Sequence, residues 1–261
     1  MRPWPRPPKA LLRPWRWSVF LRAYEYLPQG VIDSVVATLM RRERPRWLVK
    51  AVITGWVARG RIDLSEVEVA DWPSVEAFFL RRLRTGARVI GSGLVAPVDG
   101  VMVASGAAAD GLVVKGCALD VAALVGAALG FEANVATIFL TPDGYHHVHA
   151  PSDLEIVSVT RIAGRSFPQN DDALALRPDV YLRNARVVVR CETGSGQLVL
   201  VLVGASIIGG IQVGAPGRYA KAEPIGAFSF GSTVVMFWPR AWGACERAPG
   251  ERVKLGETLV R

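Results

Sequence analysis

All three histidines of this 261-residue chain fall in one hexapeptide, Tyr145-His146-His147-Val148-His149-Ala150. Histidines with unrelated structural duties would be scattered, so the cluster points to a site. In an extended segment successive side chains alternate faces, which puts His147 and His149 together and His146 opposite. Two chemistries fit such a group. A pair on one face could ligate a metal, but tetrahedral zinc needs further ligands. No acidic cluster adjoins the segment, and the three cysteines (Cys117, Cys191 and Cys245) form no Cys-x-x-Cys pair. The alternative is proton transfer, for which an imidazole titrating at about pH 6.5 is suited.

A second candidate is Gly231-Ser232-Thr233, set between the strand-like runs 227–230 and 234–237. Alone it reads as a strand irregularity, because glycine inside a strand marks a bulge or a close backbone contact. Its company gives it weight: the histidine hexapeptide and Pro97-Val98-Asp99-Gly100 are both present in the same chain.

These residues need a scaffold, and the sequence changes character at Gly86. Beyond it, short β-rich runs broken by Gly, Pro and Asp cover 101–103, 112–115, 137–140, 154–160, 187–191, 198–203, 207–213, 228–237 and 253–260. Many short strands with turns between them predict an antiparallel sandwich or barrel, interrupted by one helix near 121–130. Before Gly86, residues 18–59 read as two or three helices. Ile32, Val35, Val36 and Leu39 recur at helical spacing, as do Val49, Val52, Ile53 and Trp56 after Pro45. A further helix is expected over 73–83, with Pro73 in its first turn and Glu76 near its positive end. The fold class is thus α+β, a helical, basic N-terminal region packed on a β-rich catalytic domain. The expected divisions are an irregular basic tail (1–17), a helical membrane-association region (18–85) and the β-rich domain (86–261).

Charge is segregated along the same boundary. Residues 1–50 hold eleven Arg and Lys against three Asp and Glu, so the whole net charge of +8 resides there and the remainder is neutral. Five of the eight tryptophans (Trp4, Trp15, Trp17, Trp47 and Trp56) lie in the first 60 residues. Arg and Trp together favour a membrane interface with anionic lipid over a nucleic-acid arm. The longest apolar run, 198–214, is shorter than the roughly 20 residues of a membrane span and reads as two buried strands. The N-terminus lacks the apolar stretch of a signal peptide. The expectation is a protein lying on a membrane without crossing it.

Phe78-Phe79-Leu80-Arg81-Arg82, Pro97-Val98-Asp99-Gly100, Lys115-Gly116, Tyr145 through Pro151, Val203-Gly204-Ala205, Phe230-Gly231-Ser232-Thr233 and Gly256-Glu257 follow one another along the chain. This ordered set, which leaves out only the first 17 residues or so, resembles the bacterial-type phosphatidylserine decarboxylase proenzyme family. The resemblance implies a chain that cuts itself between Gly231 and Ser232 into fragments 1–231 and 232–261 that stay together. Ser232 would be the nucleophile, with His149 and Asp99 completing a triad: the histidine takes the hydroxyl proton and the carboxylate fixes its tautomer. Residue 232 would then become a pyruvoyl cofactor, with no metal, and His146 would supply the proton that replaces carbon dioxide. Gly231 is expected to permit a close, strained backbone approach that a side chain would obstruct.

The implied partners are phosphatidylserine and an anionic membrane surface, at the cytoplasmic face of the cell membrane; a homodimer is left open and nucleic acid is not expected. Two departures stand out. His147 occupies a position where the family usually has Arg, and Asn184-Ala185-Arg186 replaces Asn-Glu-Arg, losing a carboxylate. The rival readings are an unprocessed relative that binds lipid or a partner, and a metal-dependent hydrolase built on the histidines.

Overall fold

The computed structural model describes residues 24, 26–60, 62–68, 71–108, 112–114, 117–170, 173–174, 177, 179–205, 210–229 and 231–261. The expected tail over 1–17, and the motif residues Lys115, Gly116 and Phe230, lie outside them. Helices α1 (Gln29–Met40), α2 (Arg46–Gly60) and α3 (Val75–Phe79) form the N-terminal layer. Two short helices follow, α4 (Val121–Val125) and α5 (Val180–Arg183).

The strands before the histidine cluster are β1 (Leu94–Val95), β2 (Gly100–Ala107), β3 (Leu112–Val114), β4 (Cys117–Leu119) and β5 (Ala133–Leu140). The middle of the chain supplies β6 (His147–His149), β7 (Leu154–Ile162), β8 (Arg186–Thr193), β9 (Gly196–Gly204) and β10 (Ile211–Val213). The last are β11 (Gly217–Tyr219), β12 (Pro224–Phe228), β13 (Ser232–Pro239), β14 (Arg252–Val253) and β15 (Thr258–Val260).

Eight strands form one antiparallel sheet in the order β11-β7-β8-β9-β13-β5-β2-β14, and β10-β12-β6 form a second. The α+β expectation holds, with the large sheet as its centre. Strand β13 is central and its alternate residues enter two different cores. Val234, Met236 and Trp238 join Val148, Ile225 and Phe228 of the small sheet and the adjoining Ala150. Val235 and Phe237 join Leu124 and Val180 of the helices on the opposite side. A strand buried on both faces needs a continuous apolar run, which Val234–Trp238 supplies.

Several boundaries differ from expectation. The single strand over 228–237 is two strands in different sheets, so Ser229–Gly231 is the corner at which the chain passes from β12 to β13. Such corners arise where a chain switches between packed sheets. The helix expected over 73–83 stops at Phe79. Ser74 caps its start through the Ala77 N–H, while Arg81 turns inward to bond carbonyls elsewhere. The run 207–213 contributes only Ile211–Val213 among the described residues, and 253–260 divides into β14 and β15 with a turn between.

Helix α1 carries apolar residues on two stripes. Ile32, Val36 and Met40 are half-buried, whereas Val31, Val35 and Leu39 are 60%, 53% and 56% exposed. On α2, Val49 and Ile53 enter a local core with Val75 and Phe78, while Trp47 is 71% exposed. No described helix is long and apolar enough to cross a membrane. Cys191 and Cys245 are free; burial pushes the Cys191 thiol up to about 12, which keeps it protonated and inert.

Candidate active site

The histidine segment runs beside β12, with His147 opposite Ala227, His149 opposite Pro224, and the Phe228 N–H donating to the His146 carbonyl at 3.0 Å. The alternation expected from the sequence is present. Val148 and Ala150 enter the core between the sheets, and His146 is fully buried. On the other face the Tyr145 ring stacks on His147 at 5.0 Å and lies 5.6 Å from His149.

Each imidazole is committed at one nitrogen to a carbonyl, which can only accept. His146 Nδ1 donates to Gly144 O at 3.0 Å, His147 Nε2 to Leu80 O at 2.9 Å, and His149 Nδ1 to Ala222 O at 2.7 Å. The lone pair of His149 therefore lies on Nε2, where the Tyr145 hydroxyl donates at 2.9 Å. His146 Nε2 is buried with no hydrogen-bond partner among the described residues. Burial lowers the pKa of all three, that of His146 to about 3, so they are neutral near pH 7.

The Phe78–Arg82 motif holds this segment in place. Phe79 lies with its ring 4.1 Å from that of His146, Leu80 accepts from His147, and the buried Arg81 guanidinium donates to Asp143 O and Gly144 O, both at 2.7 Å. Arg81→Met is expected to leave Asp143 O without its donor and Gly144 O with only His146 Nδ1, lowering stability by about 1–3 kcal/mol. It should slow chemistry at the histidines by more than stability alone explains; denaturant melts beside activity at saturating substrate check both.

Asp99 sits just ahead of β2, where Gly100 is required: a Cβ there would lie 2.5 Å from Phe139 O on β5. The Asp99 carboxylate accepts from the Leu255 N–H at 2.7 Å and from Arg88 at 2.6 Å, and Arg88 also binds Glu66. Burial raises its pKa, opposed by the Leu255 N–H and Arg88. The His149 N–H donates to Pro97 O at 2.9 Å, which brings the two segments together, yet no hydrogen bond joins His149 to Asp99. Burial raises the pKa of Tyr145, and the Asp99 charge adds to the rise. Arg88, Glu66 and Tyr145 had no chemical assignment from sequence. Tyr145 was open to discovery as part of the hexapeptide; Arg88 and Glu66 belong to no motif.

Ser232 opens β13 between Leu140 and Gly204 and is fully buried, and its Oγ has no partner among the described residues. The Gly231 carbonyl accepts from the Ala205 N–H at 3.1 Å. Neighbouring Gly204 is fixed by Gln169 and Asn184, each donating to its carbonyl at 2.8 Å, and Gln169 also accepts from Thr233 at 2.6 Å. A buried polar network therefore aims one amide N–H at the carbonyl preceding Ser232. Among the described residues, a Cβ at Gly231 would meet no atom within 4 Å; neighbouring Phe230 and residues 206–209 lie outside them.

A family model described as phosphatidylserine decarboxylase matches residues 75–261. The chain belongs to the phosphatidylserine decarboxylase family. Its members are carboxy-lyases, and this chain is an enzyme of that class. A phosphatidylserine decarboxylase proenzyme of Acidovorax ebreus (strain TPSY) is 33% identical over 269 residues, covering 90% of this chain and 94% of the relative. That of Psychrobacter arcticus is 29% identical over 93% of this chain and 98% of the relative, and that of Methylibium petroleiphilum 34% over 82% and 88%.

Both departures from the family's pattern have a local account. His147 uses its ring N–H on Leu80 O. With Ala185 in place of a carboxylate, Arg186 is bound by the carbonyls of Ala123, Leu124, Leu182 and Asn184. The first three lie on α4 and α5, and a cation suits the carbonyl end of a helix.

Proposed function

We propose that the chain is a self-processing decarboxylase that acts on phosphatidylserine at a membrane surface through a pyruvoyl group made from Ser232. What carries this reading is a buried Ser232 hydroxyl, without a partner among the described residues, beside a Gly231 carbonyl that already accepts an amide N–H. Attack by Oγ on the carbonyl carbon places negative charge on the Gly231 oxygen, toward which the Ala205 N–H points. His149, neutral and free to act at Nε2 once that nitrogen is released, takes the hydroxyl proton. The proton passes to the nitrogen of residue 232 as its bond to Gly231 breaks, converting amide to ester. Loss of the Cα proton of residue 232 expels the Gly231 carboxylate and leaves a double bond. Addition of water and loss of ammonia complete the pyruvoyl group on fragment 232–261.

Position 232 is fully buried and its Oγ has no hydrogen-bond partner among the described residues, so a pyruvoyl group there displaces no hydroxyl bond among them. When formed, the pyruvoyl ketone supplies the electron sink for loss of carbon dioxide. His146 is assigned the proton delivered to the substrate carbon; neutral near pH 7 with Nδ1–H on Gly144 O, it must first take up a proton at Nε2, which has no hydrogen-bond partner among the described residues. Release of carbon dioxide from phosphatidylserine vesicles should stop with hydroxylamine and survive chelators. The reverse pattern would favour a metal site.

The N-terminal layer is assigned to the lipid surface, at the cytoplasmic face of the cell membrane. Its outward stripe of Val31, Val35 and Leu39 is followed by exposed Arg41, Arg42, Arg46 and Lys50. Each cation contributes about 1 kcal/mol beside an anionic leaflet. Val35→Asp with Leu39→Asp is expected to weaken vesicle binding about ten- to hundred-fold in flotation assays, with the melting temperature unchanged. Undiminished binding would assign the contact to another surface.

A further inference from the structure

The three groups assigned to self-cleavage are each held apart from the others. Asp99 is bound by Arg88 and the Leu255 N–H, His149 by Ala222 and Tyr145, and Ser232 Oγ by nothing among the described residues. The contact with chemical consequence is the one on His149 Nε2. With Nδ1–H committed to Ala222 O, Nε2 carries the only basic lone pair, and the Tyr145 hydroxyl occupies it at 2.9 Å. A lone pair already accepting one donor cannot take the serine proton until that donor leaves. Tyr145 is buried and its ring is held against His147, with 21° between the ring planes. Burial and the Asp99 charge keep its hydroxyl protonated, so it remains a donor.

We propose that Tyr145 is a latch on His149, a positioning residue whose hydroxyl holds the base out of self-cleavage in the uncut chain and whose release sets the pace of processing. The proposal rests on the self-cleavage reading above.

Tyr145→Phe keeps the ring and deletes the hydroxyl. Full-length chains made by cell-free translation are chased between about pH 5 and pH 8, and loss of the uncut species is followed on denaturing gels. At neutral pH the variant is expected to be cut about two- to ten-fold faster, the factor that one hydrogen bond is worth. The hydroxyl also favours neutral imidazole, so deleting it moves the acid limb of the cleavage rate to higher pH. The other titratable and charged groups facing this pair are His147 beside it on β6, Asp99 ahead of β2, Arg88 ahead of β1 and Arg82 after α3, all retained in the variant.

A second measurement needs no cleavage. In a Ser232→Ala chain, the NMR titration midpoint of the His149 ring is expected to rise when Tyr145→Phe is added. A rate equal to or below wild type, an acid limb that stays in place, or an unmoved midpoint overturns the latch. If neither the wild type nor Tyr145→Phe is ever cut, the self-cleavage reading itself fails and the latch with it.

Discussion

Ser232→Ala is expected to remain one full-length chain and to release no carbon dioxide from phosphatidylserine. The loss should be complete because residue 232 is assigned two roles in succession, nucleophile and then cofactor. Nearby hydroxyls cannot substitute. Thr233 points to the opposite face of β13 and is bound to Gln169, and Ser229 lies three residues away, just past the end of β12. The fold should not suffer. A buried hydroxyl without a partner costs about 1–3 kcal/mol, so alanine is expected to leave the melting temperature unchanged or raise it, by about 2–4 °C per kcal/mol. Gel analysis beside a thermal melt checks both halves. A variant that is cut normally would show that another residue is the nucleophile.

His149→Gln should slow self-cleavage by about 10²–10⁴ without unfolding the chain. A glutamine amide can donate to Ala222 O and accept from Tyr145, but it cannot take a proton near neutral pH. Rates from pulse-chase gels test this, and a loss below about five-fold would remove His149 from the role of base. The pH dependence has a definite sign. Burial lowers the pKa of His149, and the base must be neutral to act, so the wild-type rate should be level near pH 7 and fall only below the ordinary histidine range.

Stability follows the same direction. His146, His147 and His149 have folded pKa values below those of the unfolded chain, so the unfolded state takes up protons first and stability is lost as pH falls below about 6.5. His146 alone, lowered to about 3, should cost about 2 kcal/mol by about pH 5. Denaturant melts from pH 7 down to pH 5 should show midpoints falling with pH.

Much of the scaffold was legible because the physics is local. The continuous apolar run Val234–Trp238 makes a buried strand, and period-two alternation alone sets His147 and His149 on the face opposite Val148. Gly100 shows the same logic in three dimensions, since only a hydrogen atom fits against Phe139 O. What escaped was non-local. No sequence pattern places Arg88 on Asp99, or aims the Ala205 N–H at the Gly231 carbonyl, because both contacts depend on which segments the sheets bring together. The corner at Ser229–Gly231 was hidden inside an apolar run that spans two sheets. The close backbone approach expected at Gly231 falls where Phe230 and residues 206–209 lie outside the described residues.

The mass of the intact, purified wild-type chain bears most directly on the central claim. The account predicts two species matching residues 1–231 and 232–261, the smaller lacking a free amine at its N-terminus and shifted in mass by the conversion of serine to pyruvoyl. A single species at the full mass of 261 residues after prolonged incubation would contradict it.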